Sequence, residues 1–226
     1  MELTQAITSR MSIRKFKPDP VSREHIARIL ELACRAPSAM NTQPWEFVVL
    51  TGEVLDRVKE ENVRLLREKA DSKPDHAAAG WPKDSVFRKR QIDLAKELFR
   101  LMGIGREDTD KRQAWTERGF RFFDAPAAII ICVDTMLPEE GPLLDIGAVM
   151  QNFCLAAMDF GLGTCIEDQG VMYPDMLREQ TGIGTDKRIV ISIAVGYPDW
   201  DFPANALVTS RVGVDQCTTW LGFGSS

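Results

Sequence analysis

The sequence predicts an α+β fold, one domain of strands and helices with an inserted helical cap. Three observations point there. Short runs at 46–51, 127–133, 164–167 and 188–195 have the length and apolar content of strands. Between them lie longer stretches whose apolar residues recur at helical spacing. The length of 226 residues suits one domain or one with an inserted subregion. At that size a chain buries roughly 70% of its unfolded surface, so a core forms without staples.

The elements follow in order. Leu3, Ala6 and Ile7 mark a short amphipathic helix ending near residues 10–12. Ser22 is an N-cap for a second helix, whose apolar face is Ile26, Ile29, Leu30 and Ala33 and which stops before Pro37. Residues 46–51 form a strand closed by Gly52, and 54–69 a helix. The least regular region, about 70–124, holds a loop around Gly80-Trp81-Pro82. A helix over about 86–102, a Gly103-Ile104-Gly105 break and a helix to about Phe123 follow. Because a core strand resumes directly at Ala127, this region is read as a cap within a single domain spanning 1–226. Residues 145–160 form a long apolar helix, buried on most sides, which Gly161-Leu162-Gly163 ends. Strands at 164–167 and 188–195 precede a tail, 203–223, with little periodicity. There is no internal repeat.

Charge and composition narrow the function. A net charge of −5 leaves no basic footprint for nucleic acid, so an anionic ligand must be held by local cations. The five cysteines are scattered and odd in number, which suggests reduced thiols in the cytoplasm. His25 and His76 do not have metal-ligand spacing, so no metal site is expected. The N-terminus lacks a signal-peptide pattern, and the longest apolar run, 125–133, is too short to span a bilayer. The glycine pairs 103/105 and 161/163 do not complete a dinucleotide fingerprint and read as helix ends.

Two constellations carry chemistry. In Arg10-Met11-Ser12-Ile13-Arg14, two guanidinium groups flank a hydroxyl at a helix end, a donor set that matches phosphate oxygens. A solvated basic turn has the same pattern. In Pro37-Ser38-Ala39-Met40-Asn41-Thr42-Gln43-Pro44-Trp45, Ser38, Asn41 and Gln43 offer donors and acceptors to a polar heterocycle, and prolines stiffen the loop. A polar connecting turn is the alternative.

Taken with Gly161-Leu162-Gly163-Thr164-Cys165, Thr209-Ser210-Arg211 and Trp220-Leu221-Gly222-Phe223, these motifs occur in the order seen in nitroreductase-family flavoproteins, and nearly the whole chain resembles that family. The Trp81-Pro82 insert and the Leu-Gly-Phe ending are most similar to its nitrobenzoate-reductase-like branch. The resemblance implies a mixed central sheet flanked by helices and a homodimer with exchanged C-terminal tails. It implies FMN as cofactor, with Arg10, Met11, Ser12 and Arg14 at its phosphate and ribityl chain, and Arg211 as a further phosphate ligand. It assigns Pro37, Ser38, Ala39, Asn41 and Gln43 to a loop that meets the flavin of the other subunit. Glu167, Asp168 and Gln169 match the turn whose backbone amides face the reactive ring nitrogen. Two carboxyls aimed at the ring would disfavour anionic reduced flavin, so their side chains are expected to point away. Thr209 stands where many relatives carry lysine, shifting phosphate binding onto the arginines. Trp81 and Phe123 are candidates to line the substrate pocket.

The activity so implied is hydride transfer from NADH or NADPH through FMN to a nitroaromatic, quinone or similar small acceptor, with ping-pong kinetics. No side chain acts as a catalytic nucleophile, and no nucleic acid or membrane partner is implied. Rivals are the same scaffold used for reductive dehalogenation or alkene reduction, a non-catalytic flavin-binding protein, and a domain without flavin.

Overall fold

The structure, a computed structural model, describes residues 1–77 and 80–223. Positions 78 and 79, within the expected cap, and 224–226, at the end of the expected domain, lie outside the described residues. The elements are α1 (Leu3–Ser9), α2 (Arg23–Ala33), β1 (Glu46–Thr51), α3 (Gly52–Arg67), α4 (Val86–Leu101), α5 (Thr109–Phe120), β2 (Ala127–Asp134), α6 (Leu143–Asp159), β3 (Gly163–Glu167), α7 (Pro174–Thr181) and β4 (Lys187–Gly196). Ser22 caps α2 as its sequence position suggests, its Oγ accepting from the His25 N–H at 3.1 Å. α6 ends at Gly161, whose φ of +70° a side chain would strain.

The strands lie in the order β1-β2-β4-β3, and every neighbouring pair is antiparallel. This corrects the expected mixed sheet. Thr51 pairs with Ala127, so the long excursion through α3, α4 and α5 leaves and re-enters at one end of the sheet. A parallel neighbour would need a strand beyond β3, and only the isolated Ser12–Thr164 bridge reaches that edge among the described residues.

β2 explains the sheet's placement. Its side chains alternate between two faces, so a strand buried on both reads as an unbroken apolar run. Ala128, Ile130 and Cys132 join Ile13, Leu55, Val58, Phe120, Phe122 and Leu177 on one face. Ala127, Ile129, Ile131 and Val133 meet α2 and α6 through Ile29, Ile146, Val149 and Phe153 on the other. Each large side chain fully buried there contributes about 1.5–3 kcal/mol. α7 has no counterpart in the sequence reading. A third, smaller cluster joins Leu98 of α4 to Ala204 and Leu207 at the start of the tail.

Candidate functional site

The segment after α1 lies along the free edge of β3. Ser12 bridges Thr164, and the Ile13 N–H donates to the Thr164 carbonyl at 2.9 Å. This approach requires Gly163, where a Cβ would lie 2.5 Å from Ile13 Cγ1 and 2.8 Å from Pro198 Cγ. Arg14 is pinned through both sides of its backbone. Its N–H donates to Asn205 Oδ1 at 2.6 Å, and its carbonyl accepts from Arg118 Nη2 at 2.8 Å. Asn205, buried at 2% exposure, also donates to the Lys15 and Asp199 carbonyls. Asp124 fixes Arg118 and Arg121 at 2.8 Å each, with Lys15 at 3.7 Å. The three residues Phe122, Phe123 and Asp124 take φ of +53° to +59° to make this turn.

The arginines of this chain divide into those paired with a carboxylate and those without one. Arg28, Arg64, Arg67, Arg100, Arg118, Arg121 and Arg178 all pair with carboxylates. Among the described residues Arg10, Arg14 and Arg211 pair with none, as is true also of surface arginines such as Arg23, Arg57 and Arg106; what sets Arg14 apart is its pinned backbone, and its Nη1 donates only to the Ser12 carbonyl at 3.2 Å. Free guanidinium groups are the chemistry an anionic phosphate needs. A cavity of about 260 Å³ opens beside Arg10 and Met11, bounded by Met158, Thr164 and Trp200.

At the far end of β3 the chain turns through Asp168, Gln169 and Gly170. The Glu167 side chain turns inward, 8% exposed, and accepts from the Gly170 N–H at 2.8 Å. Its Oε1 lies 2.7 Å from Ser192 Oγ. Burial pushes the Glu167 carboxyl up to about 8. Asn62, fully buried, donates to the carbonyls of Gly170 and Phe120, tying the turn to α3 and α5. A Cβ on Gly170 would meet the Phe122 ring at 2.3 Å, so the turn rests directly on that ring. Asp168 is exposed. Burial raises the Cys165 thiol to about 12, far from nucleophilic.

The remaining candidates lie elsewhere. Ala39 N–H donates to Asp145, in the first turn of α6, while the Ser38 hydroxyl accepts from the Gln43 N–H. Met40, Asn41 and Gln43 all have positive φ, and Met40 is 96% exposed. Arg10 shares a cavity with Met158, at the other end of α6, so the loop's anchor and Arg10 stand roughly 20 Å apart along the helix. Pro37 is exposed at the loop's start. Arg211 lies in the exposed tail, which runs from Leu207 to Gly213 beside Arg90, Leu94 and Glu97 of α4. Trp81 is exposed against Phe87 in the cap, whereas Phe123 is 6% exposed within the core. Arg118, Ser192 and Asn205 had no signal in the sequence, because their contacts to Arg14, Glu167 and Lys15 join positions distant along the chain.

The chain thus presents two guanidinium groups on a pinned segment at one end of β3 and a buttressed turn at the other. The nitroreductase family signature matches residues 7–197, and the chain belongs to the nitroreductase family. It is 32% identical over 216 residues to the nitrobenzene nitroreductase of Ectopseudomonas oleovorans, covering 95% of each chain. It is likewise 32% identical to a 4-nitrobenzoate reductase of Nocardioides sp. strain LMS-CY, over 95% of this chain and 88% of that one. The FMN and NADPH-dependent nitroreductase NfnB of Sphigopyxis sp. strain HMH superposes with a TM-score of 0.92 at 29% identity, over 99% and 100% of the chains. The NfnB of Mycobacterium smegmatis in complex with NADPH gives 0.89 at 28% identity, over 96% of each. Like them, this chain is an oxidoreductase of the nitroreductase type. Among the described residues no acidic, cysteine or histidine cluster could hold a metal, and no helix is long and apolar enough to cross a membrane.

Proposed function

We propose that this enzyme binds FMN and uses NADH or NADPH to reduce a nitroaromatic, quinone or similar small acceptor, as a homodimer in the cytoplasm. The observation that carries the reading is the segment pinned against β3, which presents Arg10 and Arg14, neither paired with a carboxylate, on either side of Ser12. Arg10, Ser12 and Arg14 hold the phosphate and ribityl chain with Met11 alongside, and Arg211 joins them from the tail. The amides of Glu167, Asp168 and Gln169 donate toward the flavin ring, a preorganised electrostatic role. When bound, FMN supplies the redox chemistry, accepting hydride from the nicotinamide and passing electrons to the acceptor. Donor and acceptor use one exposed face in turn, which gives ping-pong kinetics.

Pro37, Ser38, Ala39, Asn41 and Gln43 serve the flavin of a second copy, and the tails exchange between copies. The separation of loop and arginines across α6 supports this, as do the exposed apolar side chains Met40, Leu144, Val208, Trp220, Leu221 and Phe223. The five free cysteines support the cytoplasm. Residues 70–124 act as a cap within one domain, and Trp81 and Phe123 bear on acceptor shape, Phe123 from beneath the surface. The nitroaromatic choice leans on the names of the relatives.

The test is an absorbance spectrum of the freshly purified protein before and after anaerobic NAD(P)H. A yellow protein that bleaches is expected. A protein that carries no flavin, and takes up none when FMN is supplied, ends this reading.

A further inference from the structure

The inward carboxyl of Glu167 poses a proton-counting problem. Ser192 Oγ lies 2.8 Å from the Glu167 carbonyl oxygen and 2.7 Å from its Oε1. A hydroxyl carries one proton, so it can donate fully to only one of these acceptors. The Gly170 N–H is engaged by Oε2 at 2.8 Å. A second proton is therefore needed between Oε1 and Ser192 Oγ, and the carboxyl itself is the group that can supply it. Two bare acceptor oxygens at that distance, inside the protein, would repel. An ionised carboxylate buried without a cation would also cost several kcal/mol.

We propose that Glu167 is a neutral carboxylic acid that donates to Ser192 Oγ and accepts from Gly170, and that it is the positioning residue of the 167–170 turn. Ser192 then donates its own hydrogen bond to the Glu167 carbonyl, closing a ring of hydrogen bonds between β3 and β4. The neutral acid locks the turn without placing a charge beneath it. The groups facing it are Ser192 from β4, the Gln169 and Gly170 amides and Asp168 from the turn, Cys165 on β3, and the Phe122 ring under Gly170; the two amides favour the ionised form, against the burial that dominates. Of these Asp168 is the nearby carboxyl, and its negative charge favours the protonated form of its neighbour. Glu167 makes no ion pair among the described residues. The effect on turnover rests on the flavin reading above, whereas the proton assignment does not.

The sign of the linkage is fixed. The folded carboxyl holds its proton up to about 8, against 4.5 ordinarily, so the folded chain binds more protons in that interval. Stability from this group is full below the lower value and falls as pH rises toward the higher.

The test compares wild type with Glu167→Gln by infrared difference spectroscopy at about pH 6, between the two values. The carbonyl stretch of a protonated carboxylic acid, present in wild type and absent in the variant, is expected in apoprotein and flavoprotein alike. A carboxylate signature in its place overturns the proposal. Gln, which can donate to Ser192 and accept from Gly170, should rescue flavin reduction where Glu167→Ala does not, and should remove the alkaline limb of the rate profile. If the Gln variant does not fold, Ser192→Ala supplies the measurement. The acid band should then move to the position of a more weakly bonded carbonyl acid, and an unmoved band overturns the assignment. A protein without flavin would sink the cofactor reading and leave the band unaffected.

Discussion

The two parts of the candidate site are built differently. The β3 edge and its turn are over-determined: Arg14 is held by Asn205 and Arg118, and Gly170 by Glu167, Asn62 and the Phe122 ring. The 38–43 loop has three positive-φ residues, an exposed Met40 and a few bonds to hold it, chiefly from Asp145 and Ser38. One part is braced by contacts from within the chain, and the other is held by few bonds of its own. Strain at the loop is tolerable where binding repays it.

The strongest way to break this comparison is to remove the floor of the rigid part. Phe122→Ala should destabilise the fold by about 3–5 kcal/mol, as large-to-small changes in cores do, and should release flavin. Denaturant unfolding measures it, and a loss under about 1 kcal/mol would mean the turn does not rest on the ring. Next in size, Arg10→Ala or Arg14→Ala should each weaken FMN binding by about 1.5–3 kcal/mol, the range for a hydrogen bond to a charged group. Fluorescence titration reads this, and unchanged affinity in both variants would refute the phosphate assignment. Asn205→Ala should cost about 1–3 kcal/mol by stranding the Arg14 N–H. Its effect on FMN affinity should largely vanish in the Arg14→Ala background, because it acts through that residue. Additive losses would show that Asn205 supports flavin by another route. The smallest effect belongs to the strained loop. Met40→Gly relieves a left-handed conformation costing roughly 1–2 kcal/mol and adds roughly 0.5–1 kcal/mol of chain entropy cost, so stability measured by thermal unfolding should rise by no more than about 1.5 kcal/mol.

The same contrast decides what could be read from the residues. Local signals survived: Ser22 as a cap, the unbroken apolar run of β2 and Gly161 as a helix end are set by neighbours a few positions away. α7 escaped because its eight residues bury only Pro174, Met176 and Leu177, too few to establish a period. The direction of the strands was not legible either, since periodicity says which faces are buried and not which way the chain returns. The arginine segment was visible as a donor set, yet its fixing by Asn205 joins positions 191 residues apart and leaves no local trace. The inward turn of Glu167 likewise depends on Ser192, contributed by another strand.

α6 acts as a spacer between what a single chain can and cannot do alone. Its seventeen residues set the arginine edge at one end and the polar loop at the other. In the proposed pair, each molecule then owns halves of two different centres and a whole of neither. Damage to one half in one molecule and to the other half in its mate would leave one centre intact, so two inactive sequences could together make a working enzyme.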